Sequence, residues 1–257
     1  MPLVEYEKRD NHLAVVTLNR PEKLNAVNEE LLADLRAAWL HYRDDEDAWL
    51  AILTGKGRAF TAGADKSWFE KSLQGQDSLG IFLEQISLDP YWSGTLDKPV
   101  IAAVNGFCVG FGLDLVLKAD LRVAAESVWF QQPEVARGNI VLFFDNLPGA
   151  MAAEMISGFR ISARRAYEVG LVNRLAPEGR VLEAALEMAG ELLEKTPLAL
   201  YQALKILRDL KNAGRIVPRR LLDQYTTSLS RELTRTEDYR ETTAAFLEGR
   251  KPVFQKR

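Results

Sequence analysis

Two carboxylates stand where a charged side chain needs a physical reason. Asp114 follows Val109-Gly110-Phe111-Gly112-Leu113 and leads into Leu115-Val116-Leu117, while Glu134 follows Phe130-Gln131-Gln132-Pro133. A carboxylate drawn out of water must be hydrogen-bonded or have its pKa raised, and both outcomes suit general acid/base work. Structural roles are open as well. Asp114 could cap a helix beginning near Leu115, and Glu134 could be a surface residue in the first turn after Pro133.

Other chemistries have less support. The single cysteine, Cys108, excludes an intrachain disulfide and a cysteine-based metal cluster, and its apolar neighbours predict a buried thiol. His12 and His41 adjoin no serine or cysteine in a nucleophile motif, which disfavours a Ser-His-Asp hydrolase. The glycines of Thr54-Gly55-Lys56-Gly57 and Asn105 to Gly110 lack the spacing of a dinucleotide fingerprint or a P-loop, so NAD and ATP are not expected as reactants. A net charge of -3 without a long Lys/Arg block argues against a nucleic-acid surface. No apolar run reaches transmembrane length, and Met-Pro-Leu-Val-Glu-Tyr-Glu lacks a secretory pattern. A cytoplasmic protein without membrane contact is expected.

The elements that must position the carboxylates are legible as apolar runs. Strands are predicted at Leu13 to Leu18, Trp49 to Leu53, Val100 to Val104 and Leu121 to Ala125. A helix is predicted from Glu29 to Tyr42, with Leu31, Leu32, Leu35 and Ala38 on its buried stripe. Nearly continuous apolar strands alternating with helices imply an α/β protein whose parallel sheet is covered on both faces. Ligands gather at the strand carboxyl ends of such sheets, which puts Asp114 near a cleft. Gly63-Ala64-Asp65 could open a helix with free N–H groups pointing outward. From about Arg180 onward the segments 180–195, 197–210, 217–232 and 236–248 carry helical periodicity, with Thr196-Pro197 as a sharp start. The predicted organisation is an α/β core over 1–177 and a helical region over 178–257, the latter covering its own core or packing on a neighbouring subunit.

Seven fragments in order resemble the enoyl-CoA hydratase/isomerase (crotonase) superfamily. They are Leu18-Asn19-Arg20-Pro21 with Leu24-Asn25-Ala26, Ala59 to Asp65, Lys98 to Gly106, Phe130 to Glu134, Arg160 to Ala163, Gly170 to Asn173 and Phe246 to Phe254. The resemblance implies a crotonase-like spiral of ββα repeats in place of one doubly wound sheet. It also implies a helical C-terminal region that closes the pocket and packs homo-trimers or dimers of trimers. The implied substrate is an acyl-CoA thioester, with no metal and no cofactor, since coenzyme A is part of the substrate. By the same resemblance, the backbone N–H groups of Ala64 and Phe111 bind the thioester oxygen, where charge grows during reaction. Coenzyme A falls near Lys23, Leu24, Ala26, Ala62, Asp65 and Lys251, and Asp114 and Glu134 become the acid/base pair.

Three departures from the family pattern qualify what carries over. Position 114 is typically glutamate in hydratases, and the Asp/Glu pair found here also resembles dienoyl-CoA isomerases. Those isomerases carry a second aspartate where Leu142 stands, with Asp145 three residues later, as an active-site candidate or a helix cap. Phe111 replaces the middle glycine of a triplet, and the segment between Glu134 and Gly158 is short, with Val141, Leu142, Phe143 and Phe144 rebuilding a wall. Trp68, Phe82, Trp92, Phe143, Phe144 and Asp145 are the acyl-pocket candidates. Aromatics there could hold a flat alicyclic or aromatic acyl group, although an ordinary core would use the same residues. The expected activity is addition of water to the conjugated double bond of an enoyl-CoA or dienoyl-CoA, a cyclic acyl group included. The alternatives are double-bond isomerisation, hydrolysis of a thioester or carbon–carbon bond at the same oxyanion site, and noncatalytic acyl-CoA binding.

Overall fold

The computed structural model describes residues 2–137, 149–212, 228–229 and 231–256. They form two compact units, 1–189 and 190–257, divided within a helix.

The first unit is built on strands too apolar to face water on either side. β2 (Leu13–Leu18), β3 (Leu50–Gly55) and β5 (Val100–Val104) are buried almost throughout and pair in parallel, β2 with β3 and β3 with β5. β7 (Leu121–Ala125) and β10 (Arg174–Ala176) extend the same sheet, and β1 (Val4–Arg9) joins its other edge antiparallel to β2, giving the order β1-β2-β3-β5-β7-β10. A second sheet, β4 (Ala59–Thr61), β6 (Phe107–Val109), β8 (Trp129–Gln131) and β9 (Ile161–Ser162), runs in that order. Successive strands thus alternate between sheets: β3 then β4, β5 then β6, β7 then β8. The chain is a spiral of ββα repeats, with each turn adding one strand to each sheet.

Helices close the turns. α1 (Glu29–Asp44) starts where the Asn28 side chain accepts the Leu31 N–H, and it buries Leu31, Leu32, Leu35, Ala38, Trp39 and Tyr42. The buried Lys98 ammonium donates to the carbonyls of Tyr42 (2.7 Å) and Asp45 (2.5 Å) at the other end, where helix carbonyls lack partners. α2 (Lys66–Leu73), α3 (Ser78–Ser87) and α4 (Pro90–Ser93) lie between β4 and β5, and α5 (Phe111–Lys118) follows β6. α6 (Gly149–Ile156) and α7 (Ala163–Glu168) flank β9.

α8 (Val181–Leu193) crosses the division between the units. The second unit contains α9 (Pro197–Asn212) and α10 (Glu237–Glu248). Within it, the Asp238 carboxylate accepts the Gln255 and Lys256 N–H groups at 2.8 and 3.1 Å, fastening the terminal segment. Among the described residues no helix is long and apolar enough to cross a membrane.

Candidate active site

The register of the second sheet brings three loops together. β4 pairs with β6 (Ala59 opposite Phe107, Thr61 opposite Cys108), and β6 pairs with β8 (Cys108 opposite Phe130, Val109 opposite Gln131), all in parallel. Residues 62–65, 110–114 and 132–134 therefore leave the same sheet end side by side.

The first loop turns one backbone N–H outward. Val27 donates to the Gly63 carbonyl (2.8 Å) and accepts from Asp65 N–H (2.9 Å), forming a parallel bridge with Ala64. In that geometry the N–H of Ala64 itself faces away from Val27. Gly63 has φ +83°, and a Cβ on it would lie 2.5 Å from the Val109 carbonyl oxygen, so only glycine lets the first loop approach the second this closely. Asp65 caps α2 by accepting Ser67 N–H at 2.9 Å and pairs with Arg20. Burial alone would raise the Asp65 pKa, but the Ser67 N–H and the Arg20 guanidinium outweigh it and hold the carboxyl below the usual carboxylate range.

The support beneath this loop is polar and buried. Asn25, fully buried at φ 54°, donates to the carbonyls of Lys56, Ala59 and Phe60 at 3.0, 3.0 and 3.1 Å. The Thr61 hydroxyl donates to the Asn25 carbonyl (2.6 Å) and accepts Gly63 N–H (3.0 Å). Ala62 N–H donates to the Leu24 carbonyl (2.9 Å), so Leu24 and Ala26 lie along the Ala62–Asp65 loop, with the exposed Lys23 at the end of the preceding 3-10 turn. Lys251 belongs to the second unit, where its ammonium meets Glu194 at 2.6 Å.

The second loop opens α5 at Phe111, which leaves the first N–H groups of that helix without intrahelical partners. Asp114 is buried inside the helix, one turn from its start, so it does not cap a helix starting near Leu115. The Gln132 amide in the third loop donates to Asp114 Oδ1 at 3.1 Å. Glu134 is half-buried, and its Oε1 lies 2.7 Å from the point a Cβ on Gly110 would occupy, at the N-terminus of α5. Both carboxylates thus approach the same helix end. Burial, and then the Asp114 charge, pushes the Cys108 thiol well above its ordinary pKa, which leaves it a neutral core group.

The side chain of Phe111 joins three of the aromatic candidates. Trp68 meets Phe82 edge-on at 5.4 Å, Phe82 meets Phe111 edge-on at 4.8 Å, and Phe111 stacks on Trp92 at 5.0 Å. The Trp68 indole N–H donates to the Val27 carbonyl at 2.7 Å, the same residue that brackets Ala64. Tyr91 instead stacks on Trp39 and donates to the Leu115 carbonyl, and Phe69 is largely exposed. Leu142, Phe143, Phe144 and Asp145 lie outside the described residues.

Gln132, Val27 and Gly110 are site residues that reading the sequence missed. Gln132 sat in a recognised fragment, but its link to Asp114 depends on strand register, and Val27 acts only through its backbone.

Comparisons with known proteins identify the family of the chain. The family model described as enoyl-CoA hydratase/isomerase matches residues 8–257. The chain is 36% identical over 263 residues to the mevalonyl-coenzyme A hydratase of Beauveria bassiana, covering 95% of this chain and 91% of that protein. It is 34% identical over 264 residues to the carnitinyl-CoA dehydratase of Salmonella typhi, covering 97% of each. Among solved structures, the enoyl-CoA hydratase of Mycobacterium tuberculosis superposes with a TM-score of 0.89 at 32% identity, covering 100% of both chains. With its spiral of ββα repeats and three converging loops, this chain belongs to the enoyl-CoA hydratase/isomerase family of enzymes.

Proposed function

We propose that the protein adds water across the conjugated double bond of an enoyl-CoA or dienoyl-CoA thioester. The observation that carries this reading is that Asp114, held by Gln132, and Glu134, beside Gly110, both lie at the N-terminal turn of α5. In this reading the Ala64 and Phe111 N–H groups hold the thioester oxygen. An oxyanion donor of this kind contributes about 3 kcal/mol to the transition state. Water held against Asp114 gives its oxygen to the β-carbon and a proton to Asp114, while Glu134 delivers a proton to the α-carbon. Proton return from Asp114 to Glu134 restores the site, so one water is consumed and one C–O and one C–H bond are formed. With both carboxylates on one side of the alkene, the addition is syn. Coenzyme A enters as part of the thioester, and the Lys23–Ala26 segment beside the Ala62–Asp65 loop supports its placement there.

Glu134→Gln tests the proton-transfer role because it keeps the side-chain shape and removes the titratable proton. The variant is expected to lose about 10²-fold or more in kcat, while its affinity for unreactive butyryl-CoA stays near that of the wild type. Turnover close to wild type would contradict the role.

A further inference from the structure

We infer that the Phe111 ring ends the acyl pocket and makes the protein selective for short acyl chains. The inference rests on the reading above, in which the Phe111 N–H holds the thioester oxygen. Phe111 and Asp114 are three residues apart on α5 and so share a face, and the ring of a helical residue leans toward the helix N-terminus. The ring therefore lies beside the path of any carbon chain that starts at the thioester oxygen and passes Asp114. It is 5% exposed and fixed on two sides, edge-on to Phe82 at 4.8 Å and stacked on Trp92 at 5.0 Å. Trp68 completes the wall against Phe82 and is pinned to the Val27 carbonyl. The wall thus joins the segment that orients Ala64 to the helix that begins at Phe111. Its retreat would break the Phe111 contacts with Phe82 and Trp92 or the hydrogen bond from Trp68 to Val27. Rings already packed on one another offer a growing acyl chain a closed surface in place of a tunnel.

Saturated thioesters test this without chemistry. Titration of the full chain with butyryl-CoA and decanoyl-CoA gives the ratio of their dissociation constants for wild type, Phe111→Ala and Phe82→Ala. In an open tunnel each added methylene would tighten binding by roughly fourfold. The wild type is expected to bind decanoyl-CoA no more tightly than butyryl-CoA. Phe111→Ala is expected to shift the ratio about tenfold or more toward decanoyl-CoA, the worth of burying about two methylenes. Phe82→Ala, at a half-buried position on α3, is expected to shift it in the same direction and serves if Phe111→Ala does not fold. A wild type that favours decanoyl-CoA, or a ratio unmoved in the folded variants, would overturn the inference. Because these ligands do not react, failure of the hydration reading would appear separately, as absent turnover with the chain-length ratio intact.

Discussion

Gln132 holds Asp114 from the neighbouring loop. Its amide N–H₂ donates to Asp114 Oδ1, while its Oε1 has no hydrogen-bond partner among the described residues, and the whole side chain is buried. A buried amide fixed in this way restricts the rotamer of the carboxylate it holds, and small misplacements of a catalytic group cost rate more than binding. Gln132→Leu keeps the volume and removes the donor. Steady-state kinetics should show kcat reduced by about tenfold or more with KM changed less; an unchanged kcat would mean that Asp114 is positioned by other groups.

At the scale of elements, α4 carries a pH-dependent stability contribution. Asp89 caps it, accepting Tyr91 N–H at 2.8 Å, yet is 3% exposed. Burial pushes its carboxyl up from 3.8 to about 6, against the pull of the Tyr91 and Trp92 N–H groups and the Arg36 charge. A raised carboxyl pKa means that the folded state holds a proton the unfolded chain has released. The contribution is therefore fully present below about pH 4 and is lost as pH rises to about 6, amounting to about 3 kcal/mol at most. Asp89→Asn keeps the cap and removes the ionisation. Its stability relative to wild type, measured by denaturant unfolding, should increase between pH 4 and pH 6 and level off above; a pH-independent difference would contradict this.

Which elements could be read from the sequence follows from their burial. β2, β3, β5 and β7 were legible because both faces are covered, so their residues are apolar without interruption. β1 was not, since this edge strand carries Glu5, Glu7, Lys8 and Arg9. β4, β6 and β8 are three residues each, too short for a period to show, although they bring the site together. Asp114 and Glu134 were legible by type, as carboxylates in apolar surroundings. The outward turn of the Ala64 N–H was expected from Gly63-Ala64-Asp65 and from the family resemblance, whereas its cause, backbone pairing with Val27 37 positions away, was not, because no side chain announces it.

In the whole molecule, the spiral explains why distant segments share one site. Each ββα turn advances one strand in the second sheet, so loops separated by tens of residues emerge side by side at the ends of β4, β6 and β8. The first supplies an N–H, the second a helix N-terminus and Asp114, and the third Gln132 and Glu134. This division of parts is what the proposed water addition requires: a site for developing charge on one side and two proton-handling groups on the other. The most direct test is mass spectrometry of the product formed from an enoyl-CoA in oxygen-18 water. The account predicts a 3-hydroxyacyl-CoA carrying one oxygen-18 at the β-carbon. A shifted double bond without label, or release of free coenzyme A in its place, would contradict it.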